Sequence, residues 1–218
     1  MTPASPSHSR IKALIFDLDG TLYQNEEIGQ QVSDSALRYI ARLKDVDEAE
    51  AAEILERERC RQAEHGGTLS HSVIAMGGDL RSLHASFAAG VNPERHLSVD
   101  PRVTQLLKKL SRRFDLFLYT NNNRKLSGRI MAQIGVAGFF KKVFTIEDFW
   151  SPKPDESVIR KILQEIGYPP EETLFVGDRY DVDLKVPAAL GCAVLEARTI
   201  EELLQLNQMT AQRTTEED

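Results

Sequence analysis

Two carboxylates stand two positions apart in Asp17-Leu18-Asp19, directly after the apolar run Ile11–Phe16 and just before Gly20-Thr21-Leu22-Tyr23. With that run as a strand, both acids leave its end on the same side, where like charges repel until a cation or a proton relieves them. A magnesium ion would serve, and Gly20 permits the sharp turn that exposes both acids. Acidic residues crowd together again in Gly177-Asp178-Arg179-Tyr180-Asp181-Val182-Asp183, after another apolar run. Mg2+ takes one or two carboxylates and fills its remaining positions with water and substrate phosphate, which suits this supply of acids. Two further segments carry groups fit for an anion. Tyr119-Thr120-Asn121 offers a hydroxyl and backbone N–H donors, and Ser151-Pro152-Lys153-Pro154-Asp155 holds a lysine between two prolines that restrict its backbone. Taken singly, each has an ordinary alternative: an Asp-Gly turn, a Thr or Asn helix cap, a solvated lysine.

Bringing these groups together requires a scaffold, and the hydrophobic pattern supplies one. Ile11–Phe16, Leu116–Tyr119, Val143–Ile146, Thr173–Val176 and Cys192–Leu195 read as strands. Asp100-Pro101 opens a helix with Val103, Leu106, Leu107 and Leu110 on one face. A second helix carries Leu126, Ile130 and Ile134 ahead of Gly135, and a third starts at Pro154 and runs through Val158, Ile159, Ile162, Leu163 and Ile166 to Gly167. Strands alternating with helices predict an α/β fold, a three-layer Rossmann-like parallel sheet with its ligand at the carboxyl ends of the strands.

The stretch between the first strand and Asp100 is too long for a connection and is itself helical in pattern. Ile28, Val32, Leu37, Ile40 and Leu43 make one helix; Val46-Asp47 with Glu50 opens a second through about Glu64, and shorter helices fit 70–76 and 79–89. The expected organisation is an inserted α-helical cap over residues 24–92, a core formed by 10–23 and 93–207, and polar tails at 1–9 and 208–218.

Composition sets the outer limits. A chain of 218 residues suits one core with an insertion, and 27 Lys+Arg against 33 Asp+Glu, with no long basic block, disfavours nucleic acid as a partner. The two cysteines, Cys60 and Cys192, are far apart and in no metal-ligand spacing. No run approaches the ~18 apolar residues of a membrane span, and the first ten residues show no signal-peptide pattern, so a cytoplasmic protein without a membrane partner is expected.

Asp17 through Thr21, Thr120, Lys153 and the Asp178 to Asp183 segment occur in the order and spacing of the four motifs of the haloacid dehalogenase-like (HAD) superfamily of phosphohydrolases. The chain resembles that family over nearly everything except the tails. The resemblance implies a Mg2+-dependent phosphatase acting on a small-molecule phosphate ester. In it Asp17 would be the nucleophile that becomes an aspartyl phosphate, and Asp19 the general acid and base, its main-chain carbonyl also a metal ligand. Thr120, with Asn121 beside it, and Lys153 would hold the phosphate. Asp17 and Asp178 would bind the metal and Asp183 would orient its waters, with Asp181 as the competing candidate. Arg179 departs from the serine often found after the Gly-Asp pair. Displacing a halide needs neither an acid for the leaving group nor a metal, so Asp19, Asp178 and Asp183 argue against dehalogenation. Two alternatives stay open: a phosphomutase on the same core, and a binding module, although a decayed site would lack one of Asp17, Asp19, Lys153 or Asp178.

The inserted helices resemble the cap of phosphoglycolate phosphatase-like and pyrimidine 5′-nucleotidase-like members, and His65-Gly66-Gly67-Thr68-Leu69 is similar to a stretch of the latter. A nucleoside monophosphate, phosphoglycolate or a sugar phosphate is the implied substrate. Met76, Phe87, His65, His71 and His84 could reach it, but they fit core or solvated positions as well, and Phe149 and Trp150 fit packing.

Overall fold

The run Ala-Leu-Ile-Phe lacks polar alternation because both of its faces are covered. In the computed structural model, which describes residues 10–62 and 67–211, it forms β1 (Ala13–Phe16). β2 (Asp115–Tyr119), β3 (Lys142–Phe144), β4 (Thr173–Gly177) and β5 (Ala193–Glu196) join it in a parallel sheet of order β3-β2-β1-β4-β5. Phe16 lies opposite both Leu118 and Val176. The residues that follow them therefore leave the sheet along one edge. The chain builds outward from β1 to β3, then returns to β1's other side, which makes that edge the topological switch point where open α/β sheets bind ligands.

Beyond this edge stand α1 (Glu26–Lys44), α2 (Glu48–Gln62), α3 (Leu69–Ala75) and α4 (Leu80–Gly90). Their starts are set by side-chain caps, which satisfy backbone N–H groups that have no intrahelical partner. Asn25 accepts from Ile28 N–H at 3.0 Å, Asp47 from Glu50 N–H at 2.9 Å and Asp79 from Ser82 N–H at 2.8 Å. α1 packs on both α2 and α4, burying Ile28, Ala36 and Ile40. The second cap helix, expected through about Glu64, is described as far as Gln62, and His65 and Gly66 lie outside the described residues. A short α5 (Pro93–His96) leads back to the sheet.

In the core, α6 (Pro101–Leu110) and α7 (Arg124–Gln133) cover the sheet face that carries Leu14, Phe16, Leu116 and Leu118. α8 (Ile146–Phe149) follows β3, and α9 (Glu156–Ile166) covers the opposite face, with Val158, Ile159, Ile162 and Leu163 against Ala13, Ile15, Phe117 and Phe175. Each such fully buried aliphatic side chain contributes roughly 1.5–3 kcal/mol relative to exposure. After β4 a π-helical turn, Tyr180–Leu184, leads into α10 (Lys185–Ala189), and α11 (Ile200–Leu203) and α12 (Gln208–Ala211) follow β5.

Three boundaries differ from the sequence reading. The helix expected from Pro154 begins at Glu156, because Asp155 is its N-cap and accepts from Ser157 and Val158 N–H. The third strand stops at Phe144, where Thr145 and Asp148 form a capping box that opens α8. The tail expected from residue 208 is helical to Ala211, because Met209 is buried in the core. Residues 1–9 and 212–218 lie outside the described residues. No described helix is long and apolar enough to cross a membrane.

Candidate active site

Asp17 is the first residue beyond β1 and is 8% exposed. Its backbone N–H donates to Val176 O at 2.8 Å, carrying the ladder one step past the strand, and its Oδ1 accepts from Lys153 Nζ at 2.7 Å. The same ammonium donates to Asp183 Oδ1 at 2.9 Å and lies 4.5 Å from the centre of the Tyr119 ring. Lys153 is 3% exposed, and its loop is fixed where its backbone N–H donates to Asn121 Oδ1 at 2.8 Å. Burial alone would strip this lysine of its proton, yet attraction to Asp17 and Asp183 wins and holds its pKa above the ordinary value. Burial raises the Asp17 pKa well above the usual carboxylate range; Lys153 pulls against it, and Asp183 and Asp19 add to the rise.

Asp19 occupies a tight turn in which Gly20 N–H donates to Tyr23 O and Leu22 N–H to Leu18 O. Three donors converge on its carboxylate: the Tyr23 hydroxyl on Oδ1, Asn122 Nδ2 on Oδ2 at 2.7 Å and Thr120 Oγ1 on Oδ2 at 3.3 Å. Burial raises the Asp19 pKa, while the hydrogen bonds from Tyr23 and Thr120 pull it down. Gly20 is required twice over. Its φ is +84°, and a Cβ there would stand 2.4 Å from Asp178 Oδ2. Gly177 likewise lets Asp183 close in, since a Cβ would meet that residue's Cβ at 2.5 Å.

Oxygens of Asp17, Asp178 and Asp183 all lie within 4.8 Å of one another. Asp178 Oδ1 is buried with no hydrogen-bond partner among the described residues; the nearest cationic atom, Arg179 Nε, is 3.9 Å away on a half-exposed side chain. Burial and Asp183 raise the Asp178 pKa. Four carboxylates thus face one buried ammonium, and an orphaned anionic oxygen in such a cluster is what a divalent cation satisfies.

The structure thereby gathers Asp17, Asp19, Thr120, Asn121, Lys153, Asp178 and Asp183 at one sheet edge. Asp181 is on the outside, paired with Lys185 one helical turn on, while Asp183 turns inward. Thr120 and Asn121 are engaged within the protein, the first with Asp19 and the second with the Lys153 backbone. Tyr23 and Asn122, which the sequence reading left without a role, hold Asp19. Their signal was present: a tyrosine four residues after the second acid, and a run of three asparagines after a strand.

Above this edge lies a cavity of about 470 Å³ whose core side includes Asp19, Asn121, Asn122, Asp178 and Arg179. Asp17, Lys153 and Asp183 line a separate small recess beside Tyr119. The cap side includes Ile28, Val32, Leu69, His84 and Phe87. α4 is seated on the core where Asn123 Nδ2 donates to His84 O at 3.0 Å and where the Arg81 guanidinium stacks 4.3 Å from the centre of the Trp150 ring. Met76 is only partly buried and packs against the main core cluster. His71 bonds Thr68 at its own helix start.

Residues 11–191 match the description of the haloacid dehalogenase-like hydrolases. The chain belongs to that family. Among curated relatives of this HAD-like chain, a glyceraldehyde 3-phosphate phosphatase of Methanocaldococcus jannaschii is 27% identical over 194 residues, covering 83% of this chain and 82% of the relative. A phosphoglycolate phosphatase of Pseudomonas putida is 26% identical over 192 residues, covering 84% and 69%. The crystal structure of a HAD phosphatase from Thermococcus onnurineus shares the fold at a TM-score of 0.60 and 19% identity, covering 90% of this chain and 98% of that one.

Proposed function

We infer that this HAD-like hydrolase cleaves phosphoric monoesters, and we propose that it does so with Mg2+ through an aspartyl phosphate on Asp17. The observation that carries the reading is the paired acids. One carboxylate is salt-bridged to a buried lysine, and two residues on the other is held by three donors away from that lysine. That division of labour suits a nucleophile and a proton carrier. The relatives named above are phosphatases, which supports the same class of substrate.

In the first step an Asp17 oxygen bonds to phosphorus while the bond from phosphorus to the ester oxygen breaks. Asp19 gives its proton to that departing oxygen. In the second, Asp19 takes a proton from the water that attacks the phosphorus of the acyl phosphate, and orthophosphate leaves with Asp17 restored. Charge spreads over the equatorial oxygens in both transition states, so Lys153, held beside Asp17, together with Thr120 and Asn121, provides the compensating donors. The orphaned Asp178 oxygen and the triad of acids fit a bound Mg2+. Asp17, Asp178 and the main-chain carbonyl of Asp19 would hold it, with Asp183 placing its waters. When bound, it supplies positive charge to the phosphate oxygens. The substrate is a small-molecule ester of the nucleoside monophosphate, phosphoglycolate or sugar phosphate kind. Unpaired Cys60 and Cys192 suit a reducing compartment such as the cytoplasm.

The test is hydrolysis of a panel of these esters with Mg2+, followed by chelation and restoration of the metal, and rapid-quench mass spectrometry of the peptide containing Asp17. Activity lost and regained with the metal, a phosphoryl group on Asp17 and inhibition by Ca2+, whose looser shell misaligns attack, are expected. Full turnover in excess chelator, or phosphate on another residue, overturns the proposal.

A further inference from the structure

Tyr119 closes β2 with its side chain buried, and the Lys153 ammonium sits over the face of its ring, 4.5 Å from the centre. The tyrosine hydroxyl is buried as well, yet it has no hydrogen-bond partner among the described residues. A side chain kept for its hydroxyl would have one, so the part of Tyr119 that serves the site is the ring.

The end of β2 grips Lys153 at two points. Asn121 accepts from its backbone N–H at 2.8 Å, and Tyr119, two positions earlier, faces its ammonium. Lys153 carries three N–H bonds and a full charge into a site where it is 3% exposed, and it donates to Asp17 Oδ1 at 2.7 Å and to Asp183 Oδ1 at 2.9 Å. Both of those acids belong to the triad whose oxygens fit a divalent cation, and a cation bound there draws their charge away from the lysine. The ring face is a different kind of partner. It has no net charge, offers no oxygen to a hard cation, and attracts an ammonium most strongly where water is excluded.

We propose that Tyr119 is a positioning residue: the electron-rich face of its ring holds the Lys153 ammonium beside Asp17, where it meets the transferring phosphoryl group, when the neighbouring acids turn to a metal. This rests on the phosphatase reading above. Tyr119 touches no reacting atom, and the phosphoryl group that Lys153 meets is common to every ester, so the contribution of the ring is independent of the leaving group.

The test replaces Tyr119 with phenylalanine and with phenylalanines bearing one, two and three ring fluorines, which withdraw negative charge from the ring face at nearly constant volume. Wild type and variants are compared in hydrolysis of an alkyl phosphate and of p-nitrophenyl phosphate with Mg2+, in binding of inorganic phosphate by calorimetry, and in thermal unfolding. Tyr119→Phe loses only the unpaired hydroxyl and is expected to keep kcat/KM within about twofold, with an unfolding temperature equal to or above that of the wild type. Each added fluorine is expected to lower kcat/KM further, reaching about tenfold with three, equally on both esters and with phosphate binding weakened in parallel, while the unfolding temperature moves by less than about 2 °C. Tyr119→Leu, which has apolar bulk but no ring face, is expected to lose at least as much and serves if the fluorinated proteins do not fold. A flat fluorine series, a loss of about tenfold already in Tyr119→Phe, or a loss that depends on the leaving group overturns the inference and leaves the phosphatase reading intact. A wild type inert on both esters and on the whole panel above overturns that reading and the inference with it.

Discussion

At the sheet edge, Asp17, Asp19 and Asp183 are each tied to side chains distant in sequence, whereas on the cap side neither ring nitrogen of His84 has a hydrogen-bond partner among the described residues and the ring sits against Phe87. The core wall is positioned mainly by the register of the parallel sheet. The cap wall is positioned by helix packing, in which one residue's neighbours depend on volumes along the whole interface. The two walls therefore rest on different kinds of structural order, and substitutions on them are expected to fail in different ways.

The sharpest break is Asp17→Asn, which removes the attacking oxygen. Turnover is expected to fall by about 10⁴-fold or more on every ester regardless of leaving group, with no phosphoenzyme detected, as burst and steady-state kinetics will report. Asp19→Asn comes next and depends on the leaving group. Alkyl esters, whose alkoxide cannot depart unprotonated, lose ~10²–10⁴-fold, while p-nitrophenyl phosphate gives a burst of nitrophenol followed by slow release of phosphate. Fast steady turnover of alkyl esters by this variant would reverse the roles assigned to the two acids.

Gly20→Ala probes the core wall through its backbone. A Cβ there meets Asp178 at 2.4 Å and φ is +84°, so Asp178 must shift. The Mg2+ concentration for half-maximal activity is expected to rise about tenfold, and strain of about 1–2 kcal/mol to lower the unfolding temperature. An unchanged metal requirement would show that Asp178 tolerates displacement.

The smallest effect on activity lies on the cap wall, where the change is one of stability. His84 has its folded pKa lowered to about 4 from an unfolded value near 6.5. The unfolded chain therefore binds the proton first as pH falls, and the stability contributed by the neutral ring, complete above about 6.5, declines between 6.5 and 4 by roughly 3 kcal/mol. Asp17 and Asp19, raised in the fold, act with the opposite sign over an overlapping window, so the measurement is the difference between wild type and His84→Asn in urea unfolding at several pH values. That difference is expected to favour the wild type less at pH 5 than at pH 7. A difference independent of pH would place the His84 ring in contact with solvent.

The two walls also differed in how well they could be read from sequence. Strand ends were legible because β-branched and aromatic runs stop at a polar group, and all five runs form strands of one parallel sheet. The acids at 17, 19 and 178 follow from that directly. Asp183 over Asp181 was not legible, because the choice depends on the π-helical turn at Tyr180–Leu184, a backbone state with no strong composition signal. Tyr23 and Asn122 were missed because their role is to hold another side chain, which spacing alone does not announce. In the cap, the start of the second helix could be read from Asp47 with Glu50, but nothing in the pattern separated His84, on the cavity wall, from His71, which bonds its own helix start.

The central place of β1 also governs when the site can exist during synthesis. Asp17 meets Lys153 across 136 positions of sequence, and β1 pairs with β4 as well as with β2. A ribosome therefore releases the nucleophile early and its counter-ion and the last acids late. Until β4 emerges, β1 has one unpaired edge and its two carboxylates stand in water without their lysine. An incomplete chain lacks the lysine that balances its acids, and an unpaired strand edge is prone to non-native association. The pairing of β4 with β1 is thus the event that brings the two halves of the site together.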